Sequence, residues 1–139
     1  MVHFTTQDIE MPTLDQSSIR RWIKTIAAHY GCAVGTIHYI FCSDQRELEI
    51  NREFLGHDYY TDVITFDYST PTTINGDIFI SLETIQSNAE MIGVSFDNEL
   101  MRIIIHGILH LTGQMDKTPE TKAEMTAKEN HALSILLNS

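Results

Sequence analysis

Leu100-Met101-Arg102-Ile103-Ile104-Ile105-His106-Gly107-Ile108-Leu109-His110-Leu111-Thr112-Gly113-Gln114-Met115-Asp116 is the stretch that decides how this chain is read. From Leu100 to Leu111 it is apolar on nearly every side, which marks a helix buried in a core. His106 and His110 lie four residues apart, so one helical turn brings both imidazoles to the same face. Gly113 can take the left-handed conformation that ends a helix, and Asp116 then turns back toward the same point. Two histidines and an aspartate form a three-donor set with a position left open, the way catalytic zinc is held. Without a partner, two histidines on an apolar helix would cost on the order of several kcal/mol in polar burial; a metal supplies that partner, and core histidines satisfied by hydrogen bonds, with Asp116 a loop carboxylate, are the alternative. Gly107 costs about 1 kcal/mol relative to alanine in mid-helix, so a close-packed neighbour is expected against it.

Outward from this helix, the pattern predicts an α+β domain: a small mixed β-sheet packed with helices around a central buried metal-binding helix. Residues 2–6 read as a short strand. Ile19, Trp22, Ile23, Ile26, Ala27 and Tyr30 fall at helical spacing before a stop at Gly31. Residues 34–42 are β-branched and aromatic, hence a strand. Asp44 with Glu47 resembles a capping box for a helix that turns Leu48, Asn51, Phe54 and Leu55 inward and stops at Gly56. Residues 63–68 and 77–81 read as a pair of strands, with Pro71 and Asn75-Gly76 punctuating the loop between them. A helix over 82–92 closes at Gly93, and Ser95 or Asp97 caps the central helix. Thr118-Pro119-Glu120 opens a final helix, on which Glu124 and Lys128 are expected to pair.

With 139 residues, 42% of them hydrophobic, the chain suits one domain spanning 1–139. No run approaches the roughly eighteen apolar residues of a membrane span, and the N-terminus has no secretion signal, so a cytoplasmic protein is expected. Cys32 and Cys42 read as small buried thiols of a reducing compartment. Nine Lys+Arg against nineteen Asp+Glu leave a net charge of −10, which repels polyanions over most of the surface. Any nucleic-acid role therefore needs a local cation or a metal.

The His106/His110/Gly113/Asp116 spacing is that of the His-Glu-x-x-His-x-x-Gly-x-x-His metalloproteases, with Asp116 in the third ligand position. Gly107 stands where such a peptidase carries its general-base glutamate. The geometry fits a hydrolytic zinc site, but peptide cleavage does not follow from it.

The chain resembles the YbeY family of bacterial rRNA-maturation metalloproteins. His106-Gly107-Ile108-Leu109-His110-Leu111-Thr112-Gly113 matches the first eight positions of that family's hallmark. Glu49-Ile50-Asn51-Arg52-Glu53-Phe54 is similar to its Leu-Asn helix, Thr61-Asp62-Val63-Ile64-Thr65-Phe66 to one strand and Gly76-Asp77-Ile78-Phe79-Ile80-Ser81 to another. The resemblance implies a metal-dependent, single-strand-specific endoribonuclease that holds one zinc per chain. It implies action in rRNA processing, including the 3′ end of the small-subunit RNA, and in ribosome quality control, with the small ribosomal subunit as partner.

Two departures stand out. The family ends its motif in Asp-His, whereas here Asp116 takes the ligand position and Lys117 follows. A carboxylate cancels one more unit of metal charge than an imidazole, which weakens Lewis acidity. Lys117 reads as a solvated lysine or as a cation compensating near a phosphate. The family's arginine after the Leu-Asn helix is Leu55 here; Arg52, three residues earlier, is the candidate substitute, with a paired surface arginine as the alternative. Asp62 and Asp77 flank strands and could approach the site, Tyr59 and Tyr60 could stack on bases, and His57 and His131 read as structural or surface residues. Three functions remain in play: the endoribonuclease, a ribosome-assembly factor with structural zinc that docks on ribosomal proteins, and a metallohydrolase of another substrate such as a peptide.

Overall fold

The computed structural model describes residues 1–55 and 63–137, and the order of its elements follows from short connections between amphipathic segments. They are β1 (Val2–Thr6), α1 (Gln16–His29), β2 (Ala33–Cys42), α2 (Asp44–Ile50) running into a π-helical turn (Asn51–Leu55), β3 (Val63–Asp67), β4 (Thr73–Ser81), α3 (Leu82–Ile92), α4 (Phe96–Leu111) and α5 (Pro119–Leu137). The strands form one mixed sheet in the order β1-β2-β4-β3. β1 lies parallel to β2, with α1 as the crossover that parallel pairing requires. β2 is parallel to β4, and β3 pairs antiparallel with β4, as the short connection between them predicts. Among the described residues no helix is long and apolar enough to cross a membrane.

Alternation along the strands sends Val2 and Phe4, Ile37, Tyr39 and Phe41, and Ile74, Ile78 and Ile80 to one face, where they are buried. Against them lie Ile19, Trp22, Ile23, Ile26 and Ala27 of α1, and Leu100, Ile104, Ile105, Ile108 and Leu109 of α4. α4 is thus the buried helix that its composition implies. The neighbour expected at Gly107 is Ile78: a Cβ at that position would meet Ile78 Cδ1 at 2.9 Å. The Tyr39 hydroxyl donates to the Ile104 carbonyl at 2.8 Å, tying β2 to α4, and burial pushes its pKa well up.

Several boundaries differ from the sequence reading. β4 starts at Thr73, so Asn75 and Gly76 lie inside a strand rather than in a loop. Asn75 Oδ1 accepts from Thr36 N at 2.8 Å where the β2–β4 register shifts, and a Cβ on Gly76 would meet the Phe66 carbonyl at 2.7 Å. Side-chain hydrogen bonding and close backbone approach explain these residues here. The α2 cap is Ser43, whose Oγ accepts from Arg46 N at 3.1 Å. Asp44 instead accepts from the hydroxyls of Ser81 and Thr84. Ile50 and Glu47 are buried, while Phe54 is 61% exposed. The π-helical turn adds residues to the turn and rotates Phe54 off the face that a regular helix would bury. Among the described residues Glu124 and Lys128 form no ion pair; the Lys128 ammonium sits 4.6 Å over the Tyr30 ring instead. The expected stop at Gly56 and the turn with His57, Tyr59, Tyr60 and Asp62 lie outside the described residues.

Candidate metal centre

The site is built on the C-terminal half of α4. Ser95 Oγ accepts from Asn98 N at 3.1 Å and fixes where that helix begins. His106 and His110 are partly exposed on a helix whose residues 103–105, 107–109 and 111 are all buried. The core clamps the helix from its apolar side, and the two imidazoles come out together on the other.

The end of α4 is a Schellman turn. Gly113 N donates to the His110 carbonyl at 3.0 Å, Gln114 N donates to the Leu109 carbonyl at 3.1 Å, and Gly113 takes φ +104°. Gln114 is buried, and its Nε2 donates to the carbonyls of Met115 at 2.8 Å and Thr121 at 3.4 Å. These bonds hold the reversal that brings Asp116 Oδ2 to 3.4 Å from His106 Nε2.

On the other edge of the His106 ring, Nδ1 donates to Glu129 Oε2 at 2.7 Å. An ionised carboxylate only accepts, so the ring proton is assigned to Nδ1 and a neutral ring keeps its lone pair on Nε2. The second Glu129 oxygen accepts from Arg102 Nη1 at 3.0 Å, and Arg102 Nη2 donates to Asn130 Oδ1 at 2.8 Å.

If the ring is neutral, the Nε2 lone pair and an Asp116 oxygen are both acceptors, and their approach is satisfied by a bound cation; a second proton, on Nε2, is the alternative that makes it an ion pair. Two donors bound to a tetrahedral zinc at about 2.0–2.2 Å stand roughly 3.3–3.5 Å apart. The His106–Asp116 separation of 3.4 Å fits that spacing. His110 lies one turn along, and among the described residues its imidazole makes no hydrogen bond or ion pair. The structure thus brings His106 and Asp116 together, with His110 adjacent but outside their contact. Among the described residues no three His, Cys, Asp or Glu side chains converge closely enough to form a group that could hold an ion. By donor chemistry, two imidazoles and one carboxylate suit zinc.

The other candidates fall elsewhere. Asp77 is on the opposite face of the sheet from α4, 3.2 Å from His38 Nδ1, and does not join the site. Asp62 and His57 lie outside the described residues, and His131 is exposed beside the His29 ring, 5.3 Å between centroids. Arg52 is exposed on the π-helical turn, and Lys117 is exposed next to Asp116. The Cys42 thiol is buried and its pKa is pushed up to about 12, first by burial and then by the charge of Glu47. Cys32 is partly buried.

Glu129, Arg102 and Gln114 were not singled out from sequence. A signal for Glu129 was present: it falls on the stripe of Met125, Ala132 and Leu133, all buried. A carboxylate on a buried stripe requires a partner.

The family model described as Endoribonuclease YbeY matches residues 1–136. The chain is 52% identical over 136 residues to the Endoribonuclease YbeY of Phocaeicola vulgatus, covering 98% of this chain and 99% of that protein. It is 51% identical over 134 residues to the protein of the same name from Bacteroides thetaiotaomicron, covering 96% and 98%. The solution structure of TM1509 from Thermotoga maritima has the same fold, with a TM-score of 0.70 at 23% identity, covering 99% of this chain and 90% of that one.

Proposed function

This chain belongs to the YbeY family of endoribonucleases, and on that premise we propose that it is a zinc-dependent endoribonuclease of single-stranded RNA. Its proposed place is cytoplasmic ribosomal-RNA processing, including the 3′ end of the small-subunit RNA, and ribosome quality control. The small ribosomal subunit is then its partner.

The observation that carries the zinc reading is the approach of His106 Nε2 and Asp116 Oδ2 to 3.4 Å while Nδ1 is engaged by Glu129. His106, His110 and Asp116 would hold the ion. When bound, zinc supplies Lewis-acid polarisation of a phosphoryl oxygen, chemistry that needs no glutamate at position 107. Asp116 contributes the anionic donor and the two histidines neutral ones. Lys117, exposed beside Asp116, is the candidate cation for a phosphate in this reading. The candidate role for Arg52 is the same, from the π-helical turn. Glu129 lies behind the His106 ring, on Nδ1, and so is not on the side where a peptidase base would act.

The test is metal analysis of the purified chain followed by incubation with single-stranded RNA. About one equivalent of zinc is expected, with cleavage abolished by chelation, restored by zinc and lost in His110→Ala and His106→Ala. Cleavage that persists in the metal-free chain, or in both variants, would overturn the reading.

The net charge of −10 favours a second reading, a ribosome-assembly factor that contacts basic ribosomal proteins and holds zinc structurally. Zinc-loaded protein that co-sediments with small subunits yet cleaves no RNA would establish it over the first.

A further inference from the structure

Glu129 is buried, yet each of its oxygens is engaged by a different group of α4. Oε2 accepts from His106 Nδ1 at 2.7 Å and Oε1 accepts from Arg102 Nη1 at 3.0 Å. The side chain is only 9% exposed, so these bonds act where water screens little. Arg102 and His106 are one helical turn apart on α4, and Arg102 also reaches Asn130, the residue after Glu129. Two adjacent residues of α5 are therefore fastened to two stacked residues of α4. The Arg102 guanidinium supplies the counter-charge that a buried carboxylate needs. With both oxygens held, the carboxylate fixes the plane and the proton position of the imidazole.

We propose that Glu129, clamped by Arg102, is a positioning residue that keeps the His106 proton on Nδ1 and aims its Nε2 at Asp116. The proposal rests on the reading of His106 as a zinc ligand. It adds that the orienting carboxylate comes from α5, far from the motif in sequence. An imidazole that donates its second N–H to a carboxylate is a more basic and better oriented ligand, and loss of such a partner costs about 10–100-fold in metal affinity.

The test combines ring-nitrogen NMR with zinc competition on the full chain. Long-range proton–nitrogen correlations of wild type as purified should show His106 protonated at Nδ1. Glu129→Gln preserves the shape but loses the ionic clamp, and should bind zinc about 10–100-fold more weakly against a chromophoric chelator. Glu124→Gln, exposed on the same helix, should bind as wild type. A proton on Nε2 of wild-type His106, or unchanged zinc affinity in Glu129→Gln, would overturn the proposal. Should Glu129→Gln fail to fold, the wild-type spectrum decides the tautomer unaided, and Arg102→Gln, which removes the clamp alone, takes over the affinity arm. Protonation at Nδ1 in a wild type that binds no zinc would sink the zinc reading and leave the positioning of His106 standing.

Discussion

Gly113 and Gly107 flank the two histidines and do different work. Gly113 sits at φ +104° with open space around a would-be Cβ, so alanine there pays only for backbone conformation. That cost is about 1–2 kcal/mol, and because the same turn presents Asp116, zinc affinity should fall with stability. At Gly107 the backbone is ordinary helix, and alanine would press on Ile78. Overpacking of about 1–3 kcal/mol is offset by about 1 kcal/mol of helix propensity, so Gly107→Ala should be the milder change. Urea midpoints of both variants check the order. Cys42 yields a pH prediction. Its thiol, ordinarily titrating near 9.0, is held protonated to about 12 in the folded chain. Above pH 9 the unfolded chain ionises while the native one does not, so the native state binds more protons and stability falls as pH rises. By pH 10 the loss should be about 1 kcal/mol, read as a lower urea midpoint than at pH 8, and the raised Tyr39 acts in the same direction at still higher pH. A thiol reagent at pH 8 should modify Cys42 only on unfolding.

Among the elements, α4 has its first turn capped by Ser95 and carries the candidate site on its last turns. Ser95→Ala removes the acceptor for Asn98 N and should cost about 1 kcal/mol in denaturant unfolding, with zinc stoichiometry unchanged. The ends of α1 and α3 were legible from the glycines that follow them, and the starts of α4 and α5 from Ser95 and from Thr118-Pro119, while the caps at Asp15 and Ser81 became visible only in the structure. Where a local signal had two physical uses, the reading went astray. Asn75-Gly76 has turn chemistry, but β4 uses the amide to bridge a register shift and the glycine to approach β3. Phe54 has the right spacing for a buried helical position, but the π-helical turn moves it out to 61% exposure, edge-on to Phe66. Glu124 and Lys128 have the spacing of an ion pair, yet Lys128 is drawn to the Tyr30 ring.

At the scale of the molecule, charge sets how an acidic endoribonuclease can hold RNA. Arg20, Arg21, Arg46 and Arg102 are hydrogen-bonded within the fold and Lys128 lies on Tyr30, so five of the nine Lys+Arg are already engaged before any phosphate is met. Affinity for single-stranded RNA should therefore depend weakly on salt. A decline of less than about tenfold between 50 and 200 mM salt is expected, where six to ten phosphate contacts would give about 10³–10⁵. Fluorescence anisotropy across a salt series checks this. The α+β architecture, the burial of α4 and the His106/His110/Asp116 spacing were readable in the sequence, because each follows from local periodicity and from turn chemistry within a few residues. Tertiary structure alone decided that Asp116 approaches His106 and not His110, that Asp77 faces away from the site, and that Glu129 and Arg102 stand behind the His106 ring. Those facts depend on the packing of α5 against α4 and on the face to which β4 turns its side chains, relations between segments distant in the chain that no local pattern encodes.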